Sequence, residues 1–272
     1  MTLLSKPAIF DTHVHSAASP DSTMKPEDAI LVAKKQGIGI IFTEHCDYIL
    51  SEGRNEGATD YWHNGKKDFV CDFDIYPHEY KKYRSESVLL GIEIGLTAAY
   101  LDKNKKTAQG DYDFIIGSAH SAGGLDVYFD TPPDYNEFIS RYLTTSAKMV
   151  ELCDFFDSFG HVDYVARYNT TAQRLFNYNN FAREFDELFR AIAQKDLSIE
   201  INTSGLSKFD NYEATLIPIY KRFAQLGGRH CTIGSDAHDT SRIGCNFETA
   251  LEIADTCGLE VVYYEDRKRR GR

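Results

Sequence analysis

Short apolar runs alternate with amphipathic stretches along the whole chain, and this alternation limits the fold more sharply than anything else in the sequence. The apolar runs are "AIFDT" (8–12), "IGIIFT" (38–43), "VLLGIEI" (88–94), "DFIIGSA" (113–119), "SIEIN" (198–202), "CTIGS" (231–235) and "LEVVYY" (259–264), with a weaker one at "FDSFG" (156–160). Between them lie helix-like stretches. "KPEDAILVAKKQG" has Pro26 in its first turn, acids early, lysines late and Gly37 at its close, each where a helix end and its dipole favour that residue type. "NEFISRYLTTSAKMVELC", "NFAREFDELFRAIAQKD" and "ATLIPIYKRFAQLGG" follow the same plan. Short strands alternating with helices imply a parallel sheet covered by helices. Seven or eight such units in 272 residues fit a (β/α) barrel, read here as one domain over residues 1–272. An open doubly wound sheet is the alternative. No Gly/Ser/Pro-rich linker divides the chain. Segment 46–87, long and rich in Asp and Tyr, reads as an elaborated βα loop, the place where such folds put substrate contacts.

Nearly every strand candidate runs directly into a residue that can bind a metal. "AIFDT" leads to His13 and His15, which share one face of an extended chain about 7 Å apart. "IGIIFT" leads to Glu44 and His45, "VLLGI" to Glu93, "DFIIGSA" to His120, "FDSFG" to His161, and "CTIGS" to Asp236 and His238. In a barrel all strand C-termini open on one face, so these groups converge on one bowl. Six of the nine histidines fall at such positions. Imidazoles and carboxylates without nearby thiolates suit zinc, iron or manganese rather than calcium. Glu93 can bridge two ions, and closely spaced ions stabilise both attacking and leaving oxygens in phosphoryl transfer. Asp21, six residues after His15, is a further candidate ligand, with helix capping as its plain alternative. Glu44 is expected to orient a neighbour or meet solvent, and His63, His78 and His230 are expected to be non-ligands.

Composition narrows the partners. Forty-one acidic against thirty basic residues give a net charge of −11, which repels nucleic acid and anionic membranes. The basic run "DRKRRGR" at the C-terminus reads as a solvated tail. Cys46, Cys71, Cys153, Cys231, Cys245 and Cys257 form no CxxC pair, which fits reduced thiols and a cytoplasmic location. The N-terminus "MTLLSKPAIF" has no signal-peptide core, and no apolar run is long enough to span a membrane.

The ordered motifs "DTHVHS", "FTEHCD", "GIEIGL", "GSAHS", "FGHVDYVARY", "EINTSG" and "TIGSDAH" resemble those of the polymerase and histidinol phosphatase (PHP) superfamily, and among its members the histidinol-phosphate phosphatases. The resemblance spans roughly residues 8 to 266. It implies a distorted (β/α)7 barrel whose trinuclear centre hydrolyses phosphoesters through a metal-bridging hydroxide, without a phosphoenzyme. By motif, it implies one ion at His13, His15, Glu93 and Asp236, a second at Glu93, His120 and His161, and a third at Asp21, His45 and His238. Two to three divalent ions (Zn, Mn or Fe) are therefore expected, with Glu93, Asp236 and His238 at the catalytic centre. Arg167 matches an arginine that the family uses to clamp phosphate. The family often has a basic residue directly after "NTSGL", where this chain has Ser207 and then Lys208. The second phosphate contact is thus open between Lys208 and Arg242.

With three ions, three carboxylates and one hydroxide, the centre would carry about +2, which a phosphomonoester dianion cancels. The expected activity is hydrolysis of L-histidinol phosphate to L-histidinol and phosphate in histidine biosynthesis, by a metal-dependent phosphatase acting on a small molecule. Another phosphoesterase on the same scaffold, a nucleotidase or exonuclease, is the nearest rival. An amidohydrolase-type enzyme lacks its usual bridging lysine here, and a metal-binding module without chemistry would not need the full ligand set. Tyr48, Tyr61, Trp62 and Tyr128 are candidate partners for a substrate ring. The proton donor to the leaving group is open between His238 and a metal-bound water.

Overall fold

The computed structural model describes residues 6–48 and 76–271. Tyr61, Trp62, His63, Cys71 and most of the expected long loop lie outside the described residues. The strands are β1 (Phe10–Val14), β2 (Gly39–Cys46), β3 (Val88–Gly95), β4 (Phe114–Ser118), β5 (Ser121–Ala122), β6 (Leu125–Asp126), β7 (Ser158–Phe159), β8 (Ser198–Asn202), β9 (His230–Gly234), β10 (Glu260–Glu265) and β11 (Lys268–Gly271). The main sheet runs β1-β2-β3-β4-β7-β8-β9-β10-β11, parallel except for the last pair. β5 and β6 form a separate small hairpin.

The sheet bends back on itself, as a distorted (β/α)7 barrel requires. Just beyond β9, Asp236 N donates to His13 O at 2.8 Å and His15 N to Ala237 O at 2.9 Å. These two bonds, around a parallel bridge between Val14 and Ala237, join β9 to β1 and ring seven parallel strands. Asp11 fastens the same seam: its Oδ1 accepts from Ser235 N at 2.8 Å and its Oδ2 from Gly244 N at 2.9 Å.

Helices form where the end signals stand. Helix Pro26–Gln36 has Pro in its first turn and ends on Gly37 at φ 73°, whose N–H bonds the last turn's carbonyls. Helix Tyr135–Leu152 begins after Asp134, whose carboxylate accepts from Asn136 N and Glu137 N. Helices Ala182–Gln194 and Tyr212–Gln225 bury Phe185, Leu188, Phe189, Leu216, Ile219 and Phe223 in the layer outside the sheet.

Two expectations change. β1 and β2 extend further than their apolar runs, so His13, Glu44 and His45 lie within strands rather than after them. The basic C-terminus is not a solvated tail. Residues 268–271 form β11, antiparallel to β10 across a two-residue turn in which Asp266 and Arg267 have φ 51° and 60°. From this hairpin Tyr263 stacks on Phe10 with centroids 4.2 Å apart, and Tyr264 on Phe114 at 5.2 Å. With Ile41, Leu89, Ile116 and Val262, these rings close the N-terminal mouth of the barrel.

Candidate metal centre

Each strand carries its candidate ligand to the opposite, C-terminal mouth. His13 and His15 flank Val14, whose side chain faces the outer core, so both imidazoles point inward. Glu93 arrives from the end of β3 and is 1% exposed. Its two oxygens divide the imidazoles. Oε2 lies 3.4 Å from His13 Nε2, 3.6 Å from His15 Nε2 and 2.8 Å from His45 Nδ1. Oε1 lies 3.2 Å from His120 Nε2 and 2.8 Å from His161 Nε2. Asp236 Oδ1 is 3.7 Å from His13 Nε2 and 3.4 Å from His15 Nε2. Asp21 Oδ2 sits 3.2 Å from His45 Nε2 and 3.1 Å from His238 Nε2. All nine residues expected as ligands thus meet in one cluster. Asp21 caps no helix, since the first one begins after Lys25.

The cluster has the chemistry of a cation site. Among its buried atoms, His13 Nε2, His15 Nε2 and Asp21 Oδ1 make no hydrogen bond. Buried polar atoms normally have a partner, and a group of such atoms around one point fits a bound ion. His13, His15 and Glu93 form one convergent donor group, and Glu93, His120 and His161 another.

The far sides of three of the imidazoles are held. His13 Nδ1 meets Glu200 Oε1 at 2.7 Å, while Glu200 Oε2 accepts from His161 N at 2.7 Å. His120 Nδ1 meets Asp47 Oδ2 at 2.7 Å, and His15 Nδ1 meets Ser19 Oγ at 3.2 Å. Such partners on one ring nitrogen direct the other at a metal. Glu200 reaches His13 because β9 carries glycine opposite: a Cβ on Gly234 would lie 2.3 Å from both Glu200 Oε1 and His13 Cβ. Glu44 orients neighbours, as expected, but away from solvent: it accepts from Ser16 N, Ser16 Oγ and Ser19 Oγ.

Charge is balanced within the cluster. Burial opposes charging His13, yet Glu200, Glu93 and Asp236 outweigh it and hold its pKa well above the usual imidazole range. His45 is raised against burial by Asp21 and Glu93, and His120 is pushed up to about 10 against burial by Glu93 and Asp47. Burial, reinforced by His45 and His238, drives His15 well down. Glu93 and Asp236 are held low, despite burial, chiefly by the imidazoles around them.

Above the cluster opens a cavity of about 250 Å³ walled by Asp126, Tyr128, Phe129, Tyr164, Tyr168 and Ser204. Of the expected substrate contacts, Lys208 is exposed and Arg242 half-buried, and neither lines this cavity. Arg167 is 3% exposed and lies beneath the cavity wall, with Nη1 donating to Asp236 Oδ2 at 2.9 Å. It is therefore neither a surface residue nor part of a regular helix. Tyr128 stands at the cavity mouth, whereas Tyr48 bonds Thr107 away from it. His78 is exposed on helix Tyr76–Tyr80, and His230 lies at the start of β9, remote from the cluster.

The sequence reading missed Glu200, Asp47, Asp163 and Asp126. Glu200 left one signal, an acid in the middle of the apolar run "SIEIN". Asp126 left none, because it reaches the cavity on the β5–β6 hairpin, a two-strand turn at Gly123 and Gly124.

Comparison with known proteins agrees with this geometry. Residues 11–204 match the PHP domain family. The probable histidinol-phosphatase of Clostridium acetobutylicum is 38% identical over 263 residues, covering 95% of this chain and 98% of its own length. The histidinol-phosphatase of Lactococcus lactis subsp. lactis is 28% identical, covering 92% of this chain and 91% of its own. A crystal structure of the histidinol phosphate phosphatase from Lactococcus lactis, complexed with zinc, L-histidinol and phosphate, superposes with a TM-score of 0.84 at 25% identity, covering 97% of this chain and 99% of that one. With a match across most of its length and a relative this similar end to end, the chain belongs to the PHP domain family.

Proposed function

We propose that this protein is a metal-dependent phosphomonoesterase that hydrolyses L-histidinol phosphate to L-histidinol and phosphate, a step of histidine biosynthesis. The observation that carries the reading is Glu93: one buried carboxylate, each oxygen facing its own pair or trio of imidazoles, under an open cavity. A relative 38% identical carries the same activity in its name, and a structural neighbour binds L-histidinol and phosphate with zinc.

His13, His15, Glu93 and Asp236 are assigned to one ion, Glu93, His120 and His161 to a second, and Asp21, His45 and His238 to a third. Zinc suits these nitrogen and oxygen donors, as do manganese and iron. The ions, when bound, supply Lewis acidity toward the phosphoryl oxygens and lower the pKa of the attacking water. The protein's own part is orientation. Glu200, Asp47 and Ser19 hold three rings from behind and so direct their other nitrogens toward the cluster. Arg167 is buried and bonded to Asp163 and Asp236, so the phosphate contact expected of it would come from its remaining Nη N–H groups. The cavity wall combines the Asp126 carboxylate with the rings of Tyr128, Tyr164 and Tyr168, a surface suited to the cationic end of an amino alcohol phosphate. A net charge of −11 disfavours long nucleic-acid substrates. No helix among the described residues is long and apolar enough to cross a membrane. A single domain acting in the cytoplasm is the reading we adopt.

The test is a phosphate-release screen with metal-replete protein across histidinol phosphate, nucleoside monophosphates and simple aryl phosphates. Histidinol phosphate should give the highest kcat/KM. A nucleoside monophosphate better by about tenfold or more (about 1.4 kcal/mol) would remove the substrate assignment and leave the metal chemistry standing.

A further inference from the structure

Asp163 is 1% exposed and does not line the cavity, yet it binds the arginine that meets Asp236. Arg167 Nε donates to Asp163 Oδ2 at 2.9 Å and Nη2 to Asp163 Oδ1 at 3.3 Å, so one whole edge of the guanidinium is occupied. Asp236 therefore receives Nη1 alone, on Oδ2 at 2.9 Å, and the same oxygen accepts from Asn202 Nδ2 at 3.4 Å. The other oxygen, Oδ1, is left facing His13, His15 and His238 at 3.7, 3.4 and 3.9 Å.

The arrangement depends on a missing side chain. A Cβ on Gly205 would lie 2.0 Å from Asp163 Oδ2 and 3.4 Å from Arg167 Nε. Gly205 is not in the left-handed region, so room rather than backbone freedom is what it supplies. Asp236 is anchored at its other end too: its backbone, at φ 55°, donates to His13 O.

We propose that Asp163, given room by Gly205, is a positioning residue of the metal centre, holding Arg167 so that it engages one oxygen of Asp236 and leaves the other to the His13–His15 pair. The physical reason lies in the two partners. A carboxylate turns readily about its last torsion, and a guanidinium edge matches both of its oxygens at once. An Arg167 freed from Asp163 can turn that edge to Asp236, occupy both oxygens and exclude the ion. The inference rests on reading the cluster as a metal centre.

Two full-length variants test it from opposite directions: Asp163→Asn keeps the volume and removes the charge, while Gly205→Ala keeps the charge and displaces it. Each is stripped with a chelator and titrated with zinc against a chromophoric competitor, and the metal-free melting temperature is recorded beside it. One of the zinc ions held by the wild type should bind about 10- to 100-fold more weakly in both variants, the range found when an outer partner of a ligand is lost. A purely architectural Asp163 would lower the melting temperature and leave zinc affinity within twofold, which overturns the proposal. Failure of both variants to fold would likewise assign Asp163 to the fold and overturn it. A wild-type protein holding less than one zinc per chain would instead refute the metal reading itself.

Discussion

Both mouths of the barrel are lined with charge, but they treat it differently. At the N-terminal mouth the buried carboxylates Asp113 and Asp157 are met by protein. Asp157 Oδ2 accepts from Ile115 N at 2.8 Å and Arg267 Nε at 2.6 Å. Asp113 accepts from Leu90 N, Asp266 N and Arg84. Tyr264 adds a hydroxyl bond to Ser198 and packs its ring on Phe114. At the C-terminal mouth, carboxylates and imidazoles face one another across gaps of about 3 to 4 Å, and several of their buried atoms have no hydrogen bond. The difference teaches how to sort buried charge. Where donors and acceptors are matched within the chain, charge is architecture; where buried imidazole nitrogens and carboxylate oxygens crowd a single point, the pattern fits a cation site.

The comparison makes predictions, the largest at the C-terminal mouth. Glu93→Gln should lower kcat/KM more than about 100-fold, beyond the loss that follows removal of an outer partner, because both groups of imidazoles face this carboxylate. Kinetics alongside elemental analysis should show metal and activity falling together; full activity would break the contrast.

Proton linkage gives the next effect. His13, His45 and His120 have pKa values raised by neighbouring carboxylates against burial, so near neutral pH the metal-free cluster favours their protonated forms. Zinc requires neutral imidazole, so binding must release protons, and affinity should rise with pH by about tenfold per unit for each proton released. For His120 the effect should fade as the pH approaches about 10, where the metal-free ring loses its proton unaided. Calorimetry in buffers of different ionisation enthalpy counts the protons, and a count of zero would contradict the prediction.

At the N-terminal mouth, Arg267→Ala should act on stability alone. It removes the partner of Asp157, a pair in which Arg267 is 31% exposed, so the cost is about 1 kcal/mol after discounting for solvent. The melting temperature should fall by about 2–4 °C. A matching loss of kcat/KM at saturating metal would show that the two mouths are coupled. The smallest effect belongs to Lys208→Ala and Arg242→Ala. Outside the cavity wall, each should change kcat/KM by less than about twofold, the scale of ordinary surface substitutions. A tenfold loss at either one would identify it as a phosphate contact the cavity does not display.

Much of the C-terminal mouth was legible in the sequence, for a local reason. A parallel barrel strand ends at the functional face, so a histidine or acid one to three residues past an apolar run is already placed. His13, His15, His120, His161 and Asp236 follow that rule. The hairpin closing the other mouth was not legible, because its turn carries Asp266 and Arg267 where glycine or asparagine would mark positive φ. What holds those residues there is distant in sequence: Asp113 Oδ1 accepts from Asp266 N, and Asp113 O from Arg267 N.

By itself, then, the sequence determined the strand-and-helix order, the face on which function collects and the donor atoms gathered there, since these follow from side-chain period and chain direction. Only the tertiary structure decided the partners behind those donors. Glu200 reaches His13 across 187 positions, and Asp47 reaches His120 across 73. It also decided that Arg167 is buried between Asp163 and Asp236 with Gly205 making room. Such contacts form where separate strands end side by side in a closed ring, and no local spacing encodes which ends will meet.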